Sequence, residues 1–213
     1  VINSNILESI VKGDLFYLKK AINPTLFSWN ELEKLLNLRP FVNDRRFHIV
    51  NDTNYKWMNY GWSSDNSFPS SLIESEMKKY VCYISDASKA NEQINNVCKL
   101  IEDYTGFEVD AHLYFTLCCD DTDIDKFIHK DKSNNLIVQI DGETNFKVWD
   151  DSSRENLKDP VLDIIMAPGD MLFIPNNIWH GALSLSNRLS VSFPISPHKT
   201  ENKEDRHWIK FNK

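Results

Sequence analysis

The sequence predicts a mainly β fold, a jelly roll with helices flanking it on the N-terminal side. Two patterns predict it. After residue 106 short strand-like runs follow one another almost to the end: VDAHLYFTLCC, DKFIHKD, NNLIVQIDG, TNFKVWD, LDIIMAPG, DMLFIPN, WHGALSLS and RLSVSFPIS. Turn signals such as Asp141-Gly142 and Pro168-Gly169-Asp170 separate them, and evenly spaced short strands of this kind build a sandwich or barrel. Before residue 106 the apolar residues recur mostly at helical spacing. With 213 residues, a single domain is expected. Its parts are a helical and loop region over about 1–106, a jelly-roll core over about 107–196 and a charged tail at 197–213.

In chain order, residues 4–12 read as a helix with Ile6, Leu7, Ile10 and Val11 on one side and Gly13 at its stop. LFYLKKAI is an extended segment that can feed a sheet. SWNELEKLLNL is the clearest helix: Ser28 caps it, Glu31 completes a capping box, Leu32, Leu35 and Leu36 form its apolar stripe, and Arg39-Pro40 ends it. Between Phe41 and Ser71 the chain is rich in Asn, Asp, Ser and aromatics, with RFHIV as the one strand. NYKWMNYGWSSDNSFPSS reads as a loop or lid, in which Trp57, Tyr60 and Trp62 either wall a substrate or pack on the body. Tyr80 to Ser85 alternates like a strand, and SKANEQINNVCKLIEDYTGF is a helix with Ile94, Val97, Cys98 and Ile101 inward and Gly106 near its end. In the tail, Trp208, Ile209 and Phe211 are the residues that can dock it.

Composition narrows the function classes. Hydrophobic content of 41% and charged content of 26% are ordinary for a globular chain, and no apolar run approaches the ~18 residues of a membrane span. A net charge of −7 argues against non-specific nucleic-acid binding. The N-terminus lacks the basic and apolar regions of a signal peptide, so an intracellular, cytoplasmic location is expected, with no membrane partner. Cys82, Cys98, Cys118 and Cys119 show no CxxC spacing and read as free thiols of a reducing compartment.

The chemistry concentrates between Phe127 and Phe193. On a strand, His129 and Asp131 would share a face and could grip one ion. His180, from a distant strand, would complete a 2-His-1-carboxylate triad, which leaves three adjacent positions open on an octahedral ion and suits non-haem Fe(II). Any one of these three residues alone reads as a satisfied polar group. His48, His198 and His207 lack companions at ligand spacing and are expected at the surface. The acidic run Asp120, Asp121, Asp123 and Asp125 is either a solvated loop or a lure for a basic protein or peptide.

IHKDKSNNLIVQIDG and GDMLFIPNNIWHGALS resemble the two motifs of the cupin family, with His129, Asp131, Asn135, Gly142, Gly169, Pro175 and His180 at the matching positions. Metal-binding cupins generally carry a second His and a Glu where this chain has Asp131 and Asn135. With that change the pattern HxDxxxNxxxQIxG resembles the JmjC and cupin-like branch of 2-oxoglutarate oxygenases, which includes asparaginyl and ribosomal-protein hydroxylases. The likeness covers roughly residues 80 to 193, and FSWNELEKLLNLRP is similar, less specifically, to the first helix of such proteins.

The resemblance implies a double-stranded β-helix, Fe(II) held by His129, Asp131 and His180 as metal ligands and catalytic centre, and 2-oxoglutarate as cosubstrate. 2-Oxoglutarate and O2 would fill the open positions, and the substrate would be a protein side chain or another polar molecule. In the related hydroxylases a Lys or Arg fifteen residues after the first His holds the far carboxylate of 2-oxoglutarate; here that residue is Thr144. Strand parity puts Lys147 on the other face. Arg188, on a face with Ser190 and Ser192, is the expected replacement, helped by Lys126 and Thr144. Tyr83 matches a strand Tyr with the same task, Asn135 lies where an amide can bond the chelating end, and His112 and Tyr114 share a neighbouring strand face. Two rivals stay open: a cupin enzyme that uses its metal without 2-oxoglutarate, and a non-catalytic cupin-like binding module.

Overall fold

The computed structural model describes residues 2–38, 46–50, 69–117, 124, 128–150, 157 and 159–199. Helix α1 (Ser4–Lys12) starts where the Asn3 side chain accepts from the Ile6 amide and stops at Gly13 in the left-handed region. Ile6, Leu7 and Ile10 are buried as expected, but Val11 is 50% exposed, one position beyond the apolar stripe. After β1 (Phe16–Leu18), α2 (Trp29–Leu36) carries the expected box: the Glu31 amide donates to Ser28 Oγ, which donates to Glu31 Oε2. Strand β2 (Phe47–Val50) is followed by α3 (Ser70–Met77), β3 (Val81–Ile84), α4 (Glu92–Thr105) and β4 (Phe107–Val109). Then come β5 (His112–Thr116), β6 (Asn134–Asp141), β7 (Thr144–Val148), β8 (Leu162–Met166), β9 (Met171–Ile174), β10 (His180–Ser184) and β11 (Arg188–Lys199).

Among the described residues the strands form two sheets. The larger is eight-stranded, in the order β1-β9-β6-β11-β5-β3-β2 with β4 beside β11; the smaller is β10-β7-β8. The expected jelly roll is therefore two antiparallel sheets face to face, without closure into a barrel. Strand parity gives the large sheet two unlike faces. Ile49, Cys82, Ile84, Leu113, Phe115, Leu189, Val191, Phe193, Leu136 and Val138 point to an apolar core shared with α1, α2, α3 and α4. The opposite face offers Tyr83, His112, Tyr114, Arg188, Ser192 and Asn135 to the space between the sheets. A second, smaller apolar cluster of Ile137, Phe146, Val148, Met166, Leu172 and Ile174 joins the sheets there.

Two motif glycines hold turns that other residues would not fit. Gly142 has φ 71°, and a Cβ on it would sit 1.6 Å from the Asn187 carbonyl oxygen, so the β6–β7 turn presses on the β10–β11 turn. Gly169 has φ 91° and accepts from the Ile22 amide while donating to Gln139.

Three expectations change. FIHKD is not a strand in its described part: residues 128–133 form an irregular approach to β6 with one bridge, His129 to His180. Helix α3 has no counterpart in the sequence reading; it begins after Pro69 without a side-chain cap, and its inward residues are only Ile73, Glu76 and Met77. Strand β11 continues to Lys199, into what was read as tail. Cys82 and Cys98 are buried free thiols, and Cys118 and Cys119 lie outside the described residues. Among the described residues, no helix is long and apolar enough to cross a membrane.

Candidate metal centre

The two sequence motifs meet through backbone first. The His129 amide donates to the His180 carbonyl and the His180 amide donates back to His129, both at 2.9 Å. The Asn177 amide, in a residue at φ 60°, donates to the Asp131 carbonyl at 2.8 Å. This lacing, rather than strand parity, brings the side chains together. His129 Nε2 lies 3.6 Å from Asp131 Oδ1, His180 Nε2 lies 3.4 Å from Asp131 Oδ2, and the imidazole centroids are 4.3 Å apart. One ligand atom from each of the three residues falls within 4.8 Å of the others.

The protonation pattern suits a cation. His180 Nδ1 sits 2.9 Å from the Ile178 carbonyl, which only accepts, so Nδ1 is the donor there and Nε2 is the ring nitrogen turned to the triad. Burial pushes the Asp131 carboxyl upward, but the hydrogen bond from His180 and the charges of His129, His180 and His112 outweigh it and hold the group below the usual carboxylate range. Two imidazole nitrogens and one carboxylate, with no thiolate, form a donor set that fits a non-haem Fe(II) ion.

The triad stands on the wall of a cavity of about 240 Å³ between the two sheets. Tyr83, Tyr114, Asn135, Arg188 and Ser192, all picked from the sequence, line it, and so does His112. Arg188 is 5% exposed; its Nε donates to Ser190 Oγ at 3.0 Å, and its guanidinium carbon lies 5.5 Å from the ring centroids of both Tyr114 and Phe146. A cation is thus carried into the interior on β11. Burial keeps the Tyr83 and Tyr114 hydroxyls protonated well beyond their ordinary range, with the negative charge of Asp131 adding to both. Burial also lowers the His112 imidazole, against the pull of Asp86 and Asp131.

Thr144 is fully buried but is not in the cavity wall: its hydroxyl donates to Gln139 Oε1 at 3.3 Å. Lys147 points to the other face, 3.6 Å from Asp163, as parity requires. His48, expected at the surface, is half-buried, with its ring 4.6 Å from Tyr83 and Nε2 3.3 Å from Ser85 Oγ. Lys126, the acidic run Asp120, Asp121, Asp123 and Asp125, and the loop aromatics Trp57, Tyr60 and Trp62 lie outside the described residues. Sequence reasoning passed over Ile137 and Ala182, which also line the cavity. Each stands two residues after a chosen one, Asn135 and His180, and the same period-2 rule would have found them.

The JmjC domain family model matches residues 85–203, more than half of the chain. The chain belongs to the JmjC domain family. Two relatives that match part of the chain are much longer proteins, the bifunctional lysine-specific demethylase and histidyl-hydroxylase NO66 of Drosophila persimilis and of Drosophila pseudoobscura pseudoobscura. Each is 21% identical over 122 residues, which is 52% of this chain and 17% and 12% of the respective relative. Among solved structures, the YcfD ribosomal oxygenase of Escherichia coli superposes on the JmjC chain with a TM-score of 0.63 at 16% identity, covering 94% of this chain and 52% of that one. YcfD in complex with cobalt and 2-oxoglutarate gives 0.61 at 17% identity, over 87% and 49%. The chain spans about half the length of YcfD and less than a fifth of the NO66 proteins.

Proposed function

We propose that this JmjC domain is an Fe(II)- and 2-oxoglutarate-dependent oxygenase that hydroxylates a side chain of a protein or another polar substrate. The observation that carries the reading is the convergence of His129, Asp131 and His180 on the wall of a cavity that also holds the buried guanidinium of Arg188. Likeness to a ribosomal oxygenase solved with cobalt and 2-oxoglutarate, and to proteins named for histidyl hydroxylation, supports the same class. In this reading residues 1–213 act as one domain, since one apolar cluster runs from α1 and α2 through the large sheet to α4.

When bound, Fe(II) with 2-oxoglutarate supplies the chemistry that activates O2 and places one oxygen atom in a substrate C–H bond. The chain's part is placement and exclusion of water. His129, Asp131 and His180 would hold the ion at the cavity wall. Arg188 orients the cosubstrate by pairing with its far carboxylate, a charge-assisted contact from a buried side chain. Thr144 cannot take that part with charge, so the anchor moves from β7 to β11. Tyr83 and Tyr114, with protonated hydroxyls, serve as donors along the wall. Phe146 and Ala182, on the smaller sheet, keep the opposite wall apolar, and Ile137 adds an apolar side chain beside Asn135.

The test is turnover. Protein supplied with Fe(II), 2-oxoglutarate and O2 is incubated with peptides from ribosomal proteins, and succinate and peptide mass are followed. Succinate formation with gain of one oxygen atom on a peptide, abolished by Asp131→Ala, is the expected result. Metal-loaded protein that consumes no 2-oxoglutarate would favour a cupin-type enzyme working without the cosubstrate.

A further inference from the structure

Asn135 is placed in the sequence at a position suited to touching the cosubstrate, yet its amide nitrogen is committed elsewhere. Nδ2 donates to Asp131 Oδ2 at 2.6 Å, the shortest polar contact described in the triad. The two Asp131 oxygens thereby differ. Each oxygen faces one triad imidazole, Oδ1 that of His129 at 3.6 Å and Oδ2 that of His180 at 3.4 Å, but Oδ2 also carries the Asn135 bond. We infer that Asn135 is a positioning residue that turns the Asp131 carboxylate so that one oxygen alone serves the metal, leaving the ion's remaining positions open.

The physical reason is in the carboxylate itself. An ionised carboxylate has two equivalent oxygens and can chelate a divalent ion through both, which would consume one of the open positions the oxygenase chemistry requires. A short hydrogen bond to one oxygen removes that equivalence and fixes rotation about the last side-chain bond. Hydrogen-bonded supports of metal-ligating carboxylates act in this way, and their loss typically costs about 10–100-fold in metal affinity. Asn135 lies at the start of β6, in the cavity wall and 7% exposed, so water does not easily replace its amide.

The residue before it has the complementary task. Asn134 Oδ1 accepts from the Asn176 amide at 2.9 Å, in the turn whose next residue, Asn177, donates to the Asp131 carbonyl. Adjacent asparagines on opposite faces of one strand thus hold the two approaches to the site: Asn134 the turn before His180, Asn135 the carboxylate of Asp131.

This inference rests on the metal-site reading, and the experiment separates the two. Co(II) is titrated, without 2-oxoglutarate, into the wild type, Asn135→Ala and Asn135→Leu, the last keeping the side-chain volume but offering no donor. Affinity and the visible Co(II) spectrum are recorded, with the thermal midpoint of each metal-free protein as the fold control. Both variants are expected to bind Co(II) about 10–100-fold more weakly with an altered spectrum while remaining folded. Unchanged affinity and spectrum overturn the role of Asn135 while leaving the triad intact. A wild type that takes up no Co(II) overturns the metal-site reading and this inference with it. Should neither variant fold, the wild type decides: the Asn135 side-chain amide signal in a 1H–15N spectrum is expected strongly displaced and returned to the ordinary range by Asp131→Ala, and an undisplaced signal overturns the inference.

Discussion

Arg188 is the residue on which the cosubstrate reading turns. Its guanidinium is buried between two rings and held by Ser190, which fixes its direction. A hydrogen-bonded ion pair of this kind is worth roughly 1.5–3 kcal/mol, so Arg188→Gln is expected to raise the Kd for 2-oxoglutarate about 10–100-fold. Thr144→Ala is expected to leave it within about threefold, because a neutral hydroxyl bonded to Gln139 has less to lose. Calorimetric titration of both variants, loaded with Co(II), checks the order; a larger effect at Thr144 would contradict the β11 anchor. The strand residues of the sequence reading that line the cavity, Tyr83, Tyr114, Asn135, Arg188 and Ser192, were legible because ligand chemistry restricts residue type and strand parity restricts direction. His48 was not, because nothing in RFHIV tells which neighbour its ring will meet until β2 is paired with β3.

At the scale of elements, the turn between β8 and β9 is closed by one carboxylate. Asp170, 4% exposed, accepts from the Tyr17 hydroxyl at 2.6 Å, the Lys20 amide at 2.9 Å and the Ala167 amide at 3.0 Å, so it ties β1 to the large sheet. Burial alone would raise its pKa, but the Ala167, Tyr17 and Lys20 donors, with the charge of Lys19, hold it below the ordinary value. A depressed native pKa stabilises the fold above the unfolded value, and that contribution fades as pH falls through the native one. Asp170→Asn is expected to cost about 1–3 kcal/mol near neutral pH and to flatten the acid limb of stability; urea unfolding at several pH values measures both. Equal acid sensitivity in the variant would contradict the clamp. Element type was legible where local signals agree, as with Ser28 and Glu31 before α2 or the helical spacing and Gly106 of α4. Helix α3 was missed because it lacks a side-chain cap, and FIHKD was misread as a strand because its two approaches are set by bonds to residues near 177–180.

Across the whole molecule, one sheet separates two environments. Its back face is closed by helices in a continuous apolar core, which supplies the rigidity, and its front face carries every described site residue chosen from the sequence except Thr144, His180, and the irregular pair His129 and Asp131. The fold class was readable from the strand rhythm alone. The open, two-sheet form was not, since the closure of a sheet depends on pairings far apart in the chain, such as β1 with β9 and β2 with β3.

The central claim is that the triad and Arg188 together hold iron and 2-oxoglutarate, and one optical titration addresses it directly. Anaerobic protein reconstituted with Fe(II) is titrated with 2-oxoglutarate while the weak visible charge-transfer band of the iron chelate is followed, with His180→Ala as control. The expected result is a saturable band in the wild type that His180→Ala abolishes. Bound iron with no band at any concentration of 2-oxoglutarate would contradict the account.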